Sequence, residues 1–437
     1  MEQDIQLQVT NNLKTKRVPK LRFGEFKEGW ENFKLESKID FISGFAFKSS
    51  NMKSTRSDFQ LIKMSNLYQN ELQLDRNPSY WEKINNKTSK YLLKENDIIL
   101  TMTGTVGKKD YGYSVVINEN NRFLLNQRLA CLRCKTSESN PDFINGLIKT
   151  SRFYYLFFNE SKGGTGNQSN VGIEDIRNIR LNFPSLPEQQ KIASFLSVVN
   201  KKIQQLTRKK ELLERYKKGV MQKLFSQELR FNTVLSGAER DKNGYDFPKW
   251  ETKVLKDLLI EYRLGGNYAN TELITVYPLI KMGNLGRGKI NLKKLEYIPV
   301  HEKIERKDKL QFGDLLFNTR NTLDLVGKVS IWKNELPSAY FNSNLMYMRF
   351  ENNFFMNFRM NSYEGIKELK KIATGTTSVA AIYTKDLLKV KLTIPSLEEQ
   401  QKIADFLSRI DTKIEAVSQQ ITKTQSFKKG LLQQMFV

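Results

Sequence analysis

The sequence predicts an α+β protein made of two copies of one unit, each a β-rich region closed by a long helix. Three observations predict it. PSLPEQQKIASFLS at Pro184 returns as PSLEEQQKIADFLS at Pro395, with 12 of 14 positions identical at an offset of 211 residues. Short runs dense in branched and aromatic residues (DIILTMTG, YGYSVVI, RLACLRC; DLLFNTR, GKVSIW, LMYMRF) fill the region before each phrase. After each phrase, apolar residues recur at alternating steps of four and three, a helical period. A period near 210 residues is too long for a solenoid, so each copy is a unit in its own right.

In chain order, the opening MEQDIQLQVTNNLKTK is polar and lacks the apolar core of a secretion signal, and no apolar run of about 18 residues could span a membrane. A cytoplasmic protein is expected. The first region covers 1–183 including this arm, and its β-rich runs are interrupted by a helical pattern, FINGLIKTSRFYYLFF. Its second-half counterpart is 250–394. Leu21-Arg22-Phe23 answers Leu229-Arg230-Phe231, Trp30 answers Trp250, and LIKMSNL at 61–67 answers LIKMGNL at 279–285. Val106-Gly107-Lys108 answers Val326-Gly327-Lys328, and GGTGNQSNVGIEDIRNIRL stands where ATGTTSVAAIYTKDLLKVKL does.

The helices are expected over 184–226 and 395–437, with a linker over 227–249 that lets the chain return to start the second copy. Acidic residues in each first turn (Glu188; Glu398 and Glu399) suit the helix dipole. The first seam reads Ile192, Leu196, Val199, Ile203, Leu206, Leu213, Val220, Leu224. The second reads Ile403, Leu407, Ile410, Ile414, Val417, Ile421, Leu431, Met435. A 3.5-residue period is that of a coiled coil. Lys210, Lys217 and Lys428 interrupt the seams. Gly219 and Gly430 sit at matched places inside the helices, which suggests a close backbone approach or a nearby helix end.

Net charge is +24, so a polyanion, above all nucleic acid, is the expected partner; neither a basic amphipathic helix nor a terminal polybasic block points to a membrane surface. Catalytic chemistry is not supported. The ten prolines are isolated, which removes the Asp/Asn-Pro-Pro-aromatic motif of amino-group DNA methyltransferases. No GxxxxGK[ST] loop occurs, and a single histidine, His301, excludes HNH and HExxH sites. Cys131 and Cys134 cannot complete a four-ligand zinc site with one histidine, and on a strand they point to opposite faces, so they are expected to pack. No metal site is expected.

These features together resemble the specificity subunit of type I restriction-modification systems, on the duplicated P-S-L-x-E-Q-Q-K-I-A-x-F-L-S helix starts and the Gly-Thr-Gly segment just upstream. The resemblance spans essentially the whole chain. It implies two target-recognition domains, each reading half of a split site in double-stranded DNA, and two long helices paired antiparallel as a coiled coil. It further implies two methyltransferase subunits carrying S-adenosylmethionine and translocase-nuclease subunits using ATP and Mg²⁺, with adenine methylation and restriction performed by those partners and no cofactor in this chain. A free-standing coiled-coil DNA-binding regulator without restriction partners is the alternative. A two-fold arrangement suits the local dyad of the DNA backbone. Basic and amide side chains in turn-like segments are the candidate DNA contacts: Lys63, Lys108, Lys109, Arg128, Gln168 and Asn170 in the first domain, and Arg263, Lys281, Arg320, Asn321 and Lys328 in the second. Lysines suit phosphates, whereas Arg, Asn and Gln can pair with base edges. Positions matched between halves (Lys63 with Lys281, Lys108 with Lys328) suit shared structure or phosphate binding.

Overall fold

The computed structural model of the chain describes residues 18–163, 167–231 and 247–437. The expected arm at 1–17, most of the linker and the Gly164-Thr165-Gly166 segment lie outside the described residues. The chain forms two compact units, Met1–Leu206 with Gln420–Val437, and Thr207–Gln419. Here they are called unit 1 and unit 2.

In unit 1 an antiparallel four-stranded sheet runs in the order Ile39–Ser43, Leu129–Cys134, Ile98–Thr101, Ser114–Val116. Side chains alternate across a strand, so each strand feeds two cores. Ile98, Leu100, Ala130, Leu132 and Cys134 face the helices Pro141–Leu147 and Ser151–Asn159. Ile99, Leu129 and Cys131 face a second layer, the strands Phe123–Leu125, Phe59–Ile62 and Tyr80–Trp81. Burial on both sides explains the unbroken apolar runs of the sequence. It also separates the cysteines onto opposite faces. Both thiols are buried, and desolvation pushes Cys134 up to about 12 and Cys131 higher still, which leaves them inert packing groups.

Unit 2 repeats this plan. Its four-stranded sheet orders Glu261–Leu264, Leu345–Arg349, Leu315–Asn318 and Val329–Ile331, and its second layer is Glu296–Tyr297, Pro278–Ile280 and Tyr340–Phe341. Each unit adds a small three-stranded sheet: Lys162–Gly163, Gln168–Asn170 and Thr103–Thr105 in unit 1, and Thr374–Gly375, Ala380–Ala381 and Arg320–Asn321 in unit 2.

The long helices run Leu186–Phe225 and Leu397–Gln434. In each unit the start of one lies in the same core as the end of the other. Ile192, Leu196 and Val199 share a core with Leu431, Met435 and Phe436 in unit 1; Ile403, Leu407 and Ile410 share one with Leu224 and Phe225 in unit 2. The remaining seam residues, Ile203, Leu206, Leu213, Val220, Ile414, Val417 and Ile421, are buried or half-buried, and none of the sixteen is exposed.

The repeated phrase has a structural cause. Arg22 donates through Nε and Nη2 to Glu188 at 2.7 Å each, and Trp30 Nε1 donates to the same carboxylate at 3.3 Å. In unit 2, Arg230 donates to Glu399 at 3.1 and 2.7 Å and Trp250 Nε1 at 3.1 Å. Both carboxylates are fully buried in the first helical turn, where the backbone dipole favours them. The next residue, Gln189 or Gln400, is buried and donates to the Pro184 or Pro395 carbonyl. Ile192 and Ala193, like Ile403 and Ala404, then enter the core.

Of the two readings of Gly219 and Gly430, the close approach is absent, since among the described residues a Cβ built at either would meet nothing within 4 Å. The helix ends, Phe225 and Gln434, are near. Nothing in the structure requires glycine there. Gly219→Ala and Gly430→Ala should each stabilise the protein by about 1 kcal/mol, readable as a rise in the urea midpoint with no change in slope.

Candidate nucleic-acid interface

One short segment in each unit ties the two layers together. In unit 1 it is Asn126-Gln127-Arg128, where the chain passes from the second layer into the central strand of the main sheet. Four backbone bonds to three other segments converge on it. Asn126 N–H donates to Ile62 O at 3.1 Å, Gln127 N–H to Phe45 O at 2.9 Å, Met102 N–H to Arg128 O at 3.0 Å, and Gly44 N–H to the adjoining Leu129 O at 2.9 Å. A Cβ on Gly44 would stand 1.9 Å from Asn126 O, so only glycine fits.

Unit 2 builds the same node at Asn342-Ser343-Asn344. Asn342 N–H donates to Ile280 O, Ser343 N–H to Gly266 O, Thr319 N–H to Asn344 O and Gly265 N–H to Leu345 O. Gly265 stands in the place of Gly44, its Cβ position 2.4 Å from Phe341 O. Among the described residues the side-chain Oδ1 of both Asn126 and Asn342 is buried without a hydrogen-bond partner, the same orphan acceptor in both copies.

Met102, hydrogen-bonded to the first node, leads into Thr103–Thr105, which pairs with Gln168–Asn170. The loop that follows is held by Asp110, which accepts from Thr105 N–H at 2.7 Å and Thr105 Oγ1 at 2.8 Å. Those bonds hold the Asp110 carboxyl below its ordinary range. The loop presents Lys108 and Lys109, both exposed. Arg128, Gln168 and Asn170 are exposed beside it. Five of the six first-domain candidates therefore share one edge. Lys63 is different: its ammonium donates to Ser79 Oγ at 2.6 Å, and burial pushes its pKa down.

In unit 2, Arg320 is exposed and Asn321 half-buried on the small sheet, with Lys328 half-buried nearby and lowered by burial and by Arg287. Two other candidates turn inward. Arg263 donates to the buried Asp308 at 2.6 Å and lies over the rings of Tyr347 and Phe341. Lys281 donates to Glu296 at 2.7 Å. Lys63 and Lys281 occupy one repeated turn, in which Asn66 or Asn284 accepts from the lysine N–H at 2.9 Å and donates to two loop carbonyls. That turn is what LIKMSNL and LIKMGNL encode.

Sequence reasoning missed Gln127, Ser343 and Asn344. The only signal was the repeated asparagine that opens NQRLACLRC and NSNLMYMRF, because the bonds that make the node come from segments far away in sequence.

A family model described as the type I restriction modification DNA specificity domain matches residues 27–215 and again 248–424. A putative type I restriction enzyme MjaX specificity subunit of Methanocaldococcus jannaschii is 28% identical over 195 residues, 43% of this chain and 45% of that protein. The chain thus spans about half the length of that relative. The type I restriction enzyme MjaVIII specificity subunit of the same organism is 25% identical over 423 residues, 93% of this chain and 91% of the other. Among solved structures, the type I restriction-modification S subunit from M. genitalium superposes with a TM-score of 0.57 at 16% identity, covering 96% of this chain and 99% of that one. At that identity the likeness is one of fold.

Proposed function

The chain belongs to the type I restriction-modification DNA specificity family, and from that premise we propose that it is the DNA-reading, non-catalytic subunit of such a complex. In this reading each unit recognises one half of a bipartite duplex site, the long helices pair as a coiled coil, and two methyltransferase subunits and translocase-nuclease subunits dock on the assembly. S-adenosylmethionine, ATP and Mg²⁺ belong to those partners, which methylate adenine and cleave. The observation that carries the proposal is the repeated node. One rigid backbone frame is built twice, but it presents Gln127 and Arg128 in unit 1 and Ser343 and Asn344 in unit 2. A constant frame that carries different polar side chains, exposed in unit 1 and half-buried in unit 2, suits the reading of two different half-sites. Lys108, Lys109 and Lys328 suit phosphates; Arg128, Gln168, Asn170, Arg320 and Asn321 suit base edges. Lys63, Arg263 and Lys281 are assigned to holding their own domains.

The test is methylation mapping in cells lacking other modification systems. Expressed alone, the chain leaves DNA unmodified; with its methyltransferase subunit it produces one bipartite methylated motif. Arg128→Ala relaxes or abolishes recognition in one half-site and leaves the other unchanged. Sequence-specific binding with no methyltransferase association would instead favour the free-standing regulator, and an equal loss in both half-sites would overturn the division of labour between units.

A further inference from the structure

In unit 2, Lys217 near the end of the first long helix donates to Asp411 Oδ1 at 2.6 Å, and its ammonium stands 5.0 Å from the centre of the Phe358 ring. Cation, carboxylate and ring close that site. The 211-residue offset puts Lys428 and Asn200 at the equivalent places in unit 1. The short helices packed there correspond through their caps, since Asn140 accepts from Phe143 N–H as Asn352 does from Phe355 N–H. In that register Gly146 stands for Phe358 and Lys149 for Asn361.

Three differences therefore fall on one spot. The carboxylate has become an amide, the ring has become a hydrogen atom, and a second lysine has been added. The result is a cavity of about 40 Å³ whose polar lining is Asp142, Asn145, Lys149, Ser197, Asn200 and Lys428. Among the described residues neither lysine forms an ion pair or a side-chain hydrogen bond. Asp142 acts on Lys149 only at longer range, and Glu71 on Lys428 likewise. Asn145 Oδ1 is already taken by Ser114 Oγ at 2.9 Å, which leaves its amide N–H₂ as the free group.

We propose that this cavity is an anion site of unit 1, in which Lys149 and Lys428 hold one small tetrahedral oxyanion and Asn145, Asn200 and Ser197 supply neutral donors. The size agrees. A water needs roughly 10–15 Å³ in this measure, so the space takes about three or four oxygens. The charge agrees as well: in the other copy Asp411 balances the single Lys217, whereas here two lysines face one lining carboxylate, Asp142, which leaves one positive charge over. Burial, and then the neighbouring Lys428 charge, push Lys149 down to about 7. A lysine lowered on folding binds fewer protons folded than unfolded, so without an anion unit 1 gains stability as pH rises from about 7 toward the ordinary lysine range. A bound oxyanion removes that dependence.

Sulfate, whose charge does not change in this range, is the probe. Thermal unfolding of the full chain is followed at pH 7 in sulfate and in chloride at equal ionic strength. At ten times its Kd, sulfate should raise the unit 1 transition by roughly 3–6 °C, and calorimetry should count one sulfate per chain. Asn200→Asp, which copies the carboxylate of unit 2, should stabilise unit 1 in chloride and abolish the sulfate response. Lys149→Asn, which copies Asn361, should also abolish it. A response retained in either variant is the general salting effect of sulfate and overturns the site, as does a wild-type protein with no response.

Discussion

Replacing Glu399 by alanine should destabilise unit 2 by about 3–5 kcal/mol, and Glu188→Ala should do the same to unit 1. The cost comes from what is left behind. Arg230 is almost as buried as Glu399, and without the carboxylate its guanidinium and the Trp250 indole N–H lose their common acceptor. Glu399→Gln keeps one acceptor oxygen and the packing but not the charge, so it should fall between wild type and alanine. Urea unfolding with one tryptophan retained at a time, Trp30 for unit 1 or Trp250 for unit 2, separates the two transitions. A loss below about 1 kcal/mol would place the pair among interactions that contribute little.

A chain ending at Phe225 should form a two-fold dimer rather than a folded monomer. Unit 1 without Gln420–Val437 lacks Leu431, Met435 and Phe436 from its core. Phe436 stacks on Phe143 at 5.3 Å and meets Trp30 edge-on at 6.2 Å. Phe225 makes the corresponding contacts in unit 2, with Phe355 at 6.0 Å and Trp250 at 6.3 Å. The end of one half-molecule's helix therefore carries the side chains that the other's core is missing, and the exchange is mutual. Charge opposes it. Residues 184–226 hold ten Lys and Arg against three Glu, while 395–437 hold six against five acidic residues. The half-molecule dimer should be weaker than the native pairing and should tighten as salt screens the repulsion. Light scattering at micromolar concentration gives the mass directly. With methyltransferase present, the dimer should methylate a palindrome of the first half-site. A stable monomer at high salt would contradict the exchange.

How much of this was legible in the sequence depends on the range of the interactions involved. The duplication and the helical seams are local patterns, and they stood out because one phrase repeats with two changes in fourteen positions. The opposite faces of Cys131 and Cys134 follow from strand alternation alone, and the two residues do lie in separate cores. The inward turn of Arg263 was not legible, since Asp308 lies 45 residues away and has no sequence mark that distinguishes it from a solvated acid. The same holds for Lys281 and Glu296. The reason for the repeated Arg22 and Arg230 was hidden for the same cause: each closes on a carboxylate more than 160 residues downstream.

The discontinuity of unit 1 also bears on the order in which the molecule is made. Unit 2 is a single run, Thr207–Gln419, and can close as soon as that run leaves the ribosome. Unit 1 cannot. The slot beside Phe143 and Trp30 must wait for Phe436, and the Leu21 N–H waits for the carbonyl of Gln434. At ordinary rates of synthesis the wait after Leu206 is on the order of ten to several tens of seconds. Through that interval an apolar slot stands open on every nascent chain, with neighbouring chains on the same message carrying helix ends that fit it. Contacts of such long sequence separation also close slowly. The half that is translated first is therefore the half that finishes folding last.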